Sequence, residues 1–190
     1  MSKYLEIAVK EHGSAISGFF KTHKKDLEML AKRISTRFKN DKKLLLCGNG
    51  GSACDALHIA GEFVGRFVSD RKALPAIALT ADSGILTAIG NDYGFEKIFS
   101  RQIEALGKKG DVLIAISTSG SSPNILEALK AAKKQGLYTV LLTGEKGKKN
   151  KDKANLTLAV PSLSTARIQE THITALQILV GLVEEGLFKK

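Results

Sequence analysis

The 190-residue chain carries 29 Lys and Arg against 19 Asp and Glu, a formal net charge of +10. Hydrophobic content of 43% and charged content of 25% are those of an ordinary globular protein, which excludes disordered and fibrous classes. No apolar run approaches the ~20 residues that would span a bilayer, and the opening MSKYLEIAVKEHG has no signal-peptide core. The length suits a single α/β domain over residues 1–190, with a helical extension over about 1–40. Cys47 and Cys54 form neither a disulfide framework nor a zinc-ribbon spacing, so a cytoplasmic protein is expected. The positive charge is dispersed, its densest cluster being EKGKKNKDK, which reads as a solvated loop. With no Trp and 6% aromatics, stacking surfaces for nucleic acid are poorly supplied, whereas an acidic small molecule would also favour a basic protein.

The first forty residues have helical periodicity, weakened by Gly13 and Gly18 and clear again at Leu27, Leu30, Ile34 and Phe38. Asn40-Asp41 breaks it, and KKLLLC reads as a buried strand. GNGGS leads into a helix with Ala56, Ile59, Ala60 and Phe63 on its apolar side. PAIALT is a second strand, ILTAIG a helix or turn, and EKIFSRQIEAL a helix with Ile98, Ile103 and Leu106 inward. DVLIAIS is apolar throughout, as expected of a strand covered on both faces of a parallel sheet. STSGSSPN forms a loop, ILEALKAAKKQG a helix ending at Gly136, and YTVLLTG and NLTLAV two further strands. A helix over about Thr165 to Leu187 closes the chain. Its apolar residues surround most of its circumference, which predicts burial by subunit association. Strands alternating with helices predict a three-layer α/β/α sandwich.

Two corners repeat one design: LLLCGNGGSACDALHIA and DVLIAISTSGSSPNILEAL each leave a buried strand through small residues into a helix. Such turns aim backbone N–H groups at phosphate oxygens, and serine hydroxyls add donors. The second offers Ser117, Thr118, Ser119, Ser121 and Ser122 within six positions. Gly48-x-Gly50-x-x-Ala53 fits a loose dinucleotide fingerprint, but no acidic residue follows at the end of the next strand. Neither corner has the G-K-[ST] ending of a Walker loop. His58 and Glu62, at i and i+4, share a helix face and can converge on one point. A core histidine beside a solvated glutamate would show the same spacing.

GNGGSACDALHIAGEFVGRF, LTAIGNDYGFEKIFSRQIEALG, GDVLIAISTSGSSPNILEAL and ARIQETHI resemble, in register from about Lys43 to Phe188, the phosphoheptose isomerases of the sugar-isomerase (SIS) domain superfamily. The resemblance implies a flavodoxin-like SIS fold with a five-stranded parallel sheet, and a homotetramer with active sites at subunit interfaces. It implies interconversion of sedoheptulose 7-phosphate and D-glycero-D-manno-heptose 7-phosphate, the first step of bacterial heptose biosynthesis toward lipopolysaccharide or capsule. By the same resemblance His58 and Glu62 are zinc ligands, with Glu62 doubling as catalytic acid/base. Gln169 would be a ligand and substrate contact. Ser52, Ser117, Thr118, Ser119 and Ser122 would bind phosphate, and Asn49 and Asp92 would contact sugar hydroxyls.

One position is the main departure from the family. Where it has a histidine as fourth zinc ligand and second acid/base, this chain has Gln177, which cannot titrate near neutrality. A polar contact just before RIQE is also replaced, by Ala166. His172 would have to reach round the helix to substitute. Cys54 falls in the first turn of its helix with nothing beside it to complete a nucleophile. The superfamily also includes a relative that binds the bacterial replication initiator and lacks the catalytic pair, so a non-catalytic, protein-binding tetramer is the alternative. His58 and Glu62 favour the enzyme; Gln177 favours the scaffold.

Overall fold

The computed structural model describes residues 2–188, in which a 37-residue helix, α1 (Lys3–Lys39), precedes the sheet. The alternation follows as β1 (Leu44–Gly48), α2 (Gly51–Val64), β2 (Ala76–Ala78), α3 (Ser83–Tyr93), α4 (Ser100–Leu106), β3 (Val112–Ser117), α5 (Pro123–Lys134), β4 (Tyr138–Gly144), β5 (Leu156–Val160) and α6 (Thr165–Phe188). The five strands are all parallel in the order β2-β1-β3-β4-β5. The three-layer α/β/α sandwich expected from the alternation is therefore the fold.

Period-two geometry sends alternate residues of each strand to opposite faces. Leu44, Leu46, Val112, Ile114, Val140 and Leu142 join one core with α1, α2 and α6. Leu45, Cys47, Leu113, Ala115 and Leu141 join the other with α4 and α5. β1 and β3 are buried along their whole length, which is why they read as unbroken apolar runs.

Gly13 and Gly18 do not interrupt α1. At Gly18 a Cβ would stand 2.8 Å from the Pro161 ring, so the missing side chain admits the link between β5 and α6. The helix expected over EKIFSRQIEAL is divided into a 3₁₀ turn, Phe95–Lys97, and α4. The junction between them, Ile98 and Phe99, is buried in the core. Leu106, expected inside, is 38% exposed on the last turn of α4, where the chain leaves at Gly107. The lysine-rich stretch forms 3₁₀ turns over Glu145–Lys153 that bury Gly147 and leave the lysines outside. No helix among the described residues is long and apolar enough to cross a membrane.

Candidate active site

The strand order makes β1 and β3 neighbours, with β2 to one side of them and β4 to the other. Chain direction around the sheet reverses between them, and in open parallel sheets a crevice forms outside the strand ends at such a switch point. Both small-residue corners lie there, because Gly48 at the end of β1 pairs in register with Ile116 at the end of β3.

In the first corner Gly50 adopts φ +55° to turn the chain into α2, where Ser52 is buried in the opening turn. A Cβ at Gly51 would lie 2.6 Å from Gln169 Nε2. The side chain of Gln169 on α6 thus lies directly over the first corner. In the second corner the Ser117 hydroxyl accepts the Gly120 N–H at 3.1 Å and lies 3.4 Å from the Ser122 hydroxyl. Ser117 therefore shapes the loop from inside, while Thr118 and Ser122 are half-buried and Ser119 is exposed. A small cavity of about 130 Å³ opens between this loop and the start of α6, lined by Thr118, Ser119, Ser162 and Thr165. A larger, mainly apolar groove of about 730 Å³ lies between Phe38, Leu74 and Leu187. It sits at the opposite end of the strands, away from both corners.

Asn49 and Asn124 join the corners. Each amide donates to the other's oxygen, at 2.9 and 2.8 Å, with Asn124 almost wholly buried. Asn49, expected as a sugar contact, is thus engaged by its neighbour. Sequence reading passed over Asn124 because an asparagine in the first turn of a helix has a sufficient local explanation.

His58 and Glu62 face the same side of α2, with Nε2 3.0 Å from a Glu62 carboxylate oxygen. Asp55, one turn earlier, also went unnoticed. Burial pushes its carboxyl up to about 6, the charge of His58 pulling partly against this, and Oδ2 is buried without a hydrogen-bond partner. Gln177 is half-buried two turns past Gln169 on α6. Among the described residues no three of His, Cys, Asp and Glu converge as a metal site, so one imidazole and one carboxylate are the only strong donors of the expected set.

Asp92 ends α3 in an exposed position, and its one hydrogen bond among the described residues comes from Asn91. The structure does not bring it to either corner within one chain. His172 does not reach the crevice: fully buried, its Nε2 contacts the Thr143 carbonyl at 3.2 Å and Nδ1 has no partner. It is a core histidine, and rescue of Gln177 by His172 is excluded by this placement.

The family model for the SIS domain matches residues 9–144. The chain is 60% identical over 148 residues to a phosphoheptose isomerase of Burkholderia pseudomallei (strain 1710b), covering 78% of this chain and 75% of that one. The chain belongs to the phosphoheptose isomerase family. A member from Roseiflexus sp. (strain RS-1) is 54% identical over 161 residues, covering 85% and 82% of the two chains. The solved phosphoheptose isomerase of Neisseria gonorrhoeae superposes with a TM-score of 0.88 at 42% identity, over 96% of this chain and 98% of that one. That structure thus shares this fold over nearly the whole chain.

Proposed function

We propose that this family member interconverts sedoheptulose 7-phosphate and D-glycero-D-manno-heptose 7-phosphate in bacterial heptose biosynthesis. The observation that carries the reading is the run of α2: it opens in a phosphate-type corner overlain by Gln169, and about two to three turns later presents His58 and Glu62 together. The 7-phosphate would be held by Thr118, Ser119, Ser122 and the backbone N–H groups of the second corner, with Ser52 contributing from the first.

Ketose and aldose differ by one proton moved between neighbouring carbons and one moved between their oxygens. The Glu62 carboxylate takes the proton from C1 and returns it to C2 of the enediol, and the hydroxyl proton passes from O1 to O2. A zinc ion, if bound, would be held by His58 and Glu62 with the amide oxygens of Gln169 and Gln177, and would polarise the carbonyl. Those residues fit a weakly held ion, because amide oxygens are poor zinc ligands beside imidazole. Gln177 orients a hydroxyl by hydrogen bonding and exchanges no proton, so Glu62 manages the carbon transfer alone.

A homotetramer with sites completed between subunits accounts for further features. α3 buries none of its residues fully: Leu86 and Ile89 are only partly covered by the core, and Ile85 is exposed. Tyr4, Leu5, Ile7 and Val9 on α1, and Ile178 on α6, are exposed. Asp92 would then serve a neighbouring subunit's site. Two unpaired thiols suit a reducing cytoplasm. Gln177 also keeps open the second reading, a non-catalytic binding tetramer. A coupled assay with sedoheptulose 7-phosphate, with and without added zinc, decides: turnover lost on Glu62→Gln is expected, and no turnover in either condition leaves the binding tetramer.

A further inference from the structure

We propose that Arg71 is a positioning residue for the isomerisation, holding the Glu62 turn of α2 against α6 through its buried contact with Glu184. The inference rests on the isomerase reading above. The segment between α2 and β2 has no regular structure, yet it turns the Arg71 side chain back inside, where 2% of it is exposed. There Nη2 donates to the Glu62 carbonyl at 2.7 Å, and Nη1 to the carbonyls of Phe63 at 2.7 Å and Gly65 at 3.0 Å. Nε donates to a Glu184 oxygen at 3.2 Å. The other oxygen of Glu184 accepts the N–H groups of Val68 at 3.3 Å and Ser69 at 2.8 Å.

α2 ends at Val64, so the carbonyls of Glu62 and Phe63 are among those its own helix leaves without partners. A cation there also answers the negative end of the helix dipole. A planar fork of five N–H donors can serve three carbonyls and a carboxylate at once; an ammonium cannot hold them in fixed directions. Burial alone would raise the Glu184 carboxyl, but the Ser69 N–H and the guanidinium hold it below the usual carboxylate range. The pair is thus charged on both sides.

The geometry matters because the two halves of the site lie on different helices. His58 and Glu62 belong to α2, Gln169 and Gln177 to α6, and Glu184 stands about two turns beyond Gln177. Arg71 touches the backbone of Glu62 itself and, through Glu184, the helix that carries the opposing amides. A displacement there moves the carboxylate relative to the substrate carbons while leaving the phosphate corner on α5 untouched. Such misplacement reduces turnover more than binding.

The test compares Arg71→Lys with the double variant Arg71→Met/Glu184→Met, which removes both buried charges together instead of leaving one unpaired. It still leaves the carbonyls of Glu62, Phe63 and Gly65 and the N–H groups of Val68 and Ser69 without these partners, so it is expected to melt below the native protein. Assayed below that temperature, it should show kcat for sedoheptulose 7-phosphate reduced about tenfold and KM changed by less than about threefold. Arg71→Lys should recover part of that kcat. A double variant that folds and keeps native kcat overturns the proposal. If it does not fold, Arg71→Lys decides by the same split: reduced kcat at constant KM bears the proposal out, and native kcat overturns it. If the native protein does not convert the substrate, the isomerase reading falls first. Amide hydrogen exchange in Arg71→Lys then decides the clamp, faster exchange confined to residues 61–66 supporting it and unchanged exchange overturning it.

Discussion

Asn49 and Asn124, 75 positions apart in the chain, exchange two hydrogen bonds across the crevice between β1 and β3. Each amide satisfies the other, so the two corners are held at a fixed separation whether or not a ligand is present. Asn124→Ala removes one partner of both bonds and leaves the other amide partly buried and unpaired. A loss of about 1–3 kcal/mol of stability in urea unfolding is expected, with a raised KM for the sugar phosphate. Unchanged stability and unchanged KM would show that the pair holds nothing.

The second corner gives a prediction for binding. Ser119 is exposed on the loop while Ser117 is committed to the Gly120 N–H. Ser119→Ala should weaken sedoheptulose 7-phosphate binding by about 1–3 kcal/mol, the range for losing a hydrogen bond to a charged group. Ser117→Ala should weaken it as well, by loosening the loop, and should in addition lower the melting temperature. Calorimetric affinities equal to native in both variants would remove the phosphate from this corner.

Gln177 sets the third. Gln177→His adds an imidazole to a set now limited to His58 and Glu62 as strong donors. Zinc affinity and isomerisation rate should rise together, and Glu62→Gln should abolish turnover. Brisk native turnover that Gln177→His leaves unaltered would separate this chain's chemistry from any metal-and-histidine scheme.

His172 gives a prediction of pH dependence. Burial lowers its ring from 6.5 to about 4, the hydrogen bond with Thr143 partly opposing this. A histidine kept neutral by the fold contributes stability above its unfolded value, and that contribution is lost as the pH falls from 6.5 toward 4. About 2–3 kcal/mol of acid sensitivity across that window is expected. His172→Gln keeps an N–H for the Thr143 carbonyl but cannot titrate. Its unfolding free energy should therefore fall less between neutral pH and pH 4. Parallel pH profiles for the two proteins would contradict the assignment.

Much of this was legible in the sequence, and the reason is local. A strand buried on both faces, such as Val112–Ser117, must be apolar throughout, and a phosphate-type corner must be small and hydroxylated. The i, i+4 spacing of His58 and Glu62 likewise guarantees their convergence on a helix. What stayed hidden depends on tertiary approach. The Asn49–Asn124 exchange, the return of Arg71 beneath α2 and the burial of Asp55 require knowing which elements meet. The division of EKIFSRQIEAL leaves no mark in its apolar spacing, because buried neighbours such as Ile98 and Phe99 also occur within unbroken helices, as at Leu179 and Val180 of α6. His172 could not be placed because only the packing of α6 under β4 shows which side of the helix is dry.

The first helix is held by the last. His12 on α1 contacts the Glu170 carboxylate at 2.7 Å, and Arg167 donates to the Ala8 carbonyl at 2.6 Å, both from the opening turns of α6. On the ribosome Glu170 follows His12 by 158 positions. α1 and all five strands are synthesised before Thr165, and the apolar side of α1 that includes Leu27, Leu30 and Ile34 waits for a helix not yet translated. The same late helix brings Gln169 to Gly51. A nascent chain therefore has neither a sealed core nor an assembled crevice until residues 165–188 clear the exit tunnel, and during that interval its apolar surface stays open to aggregation.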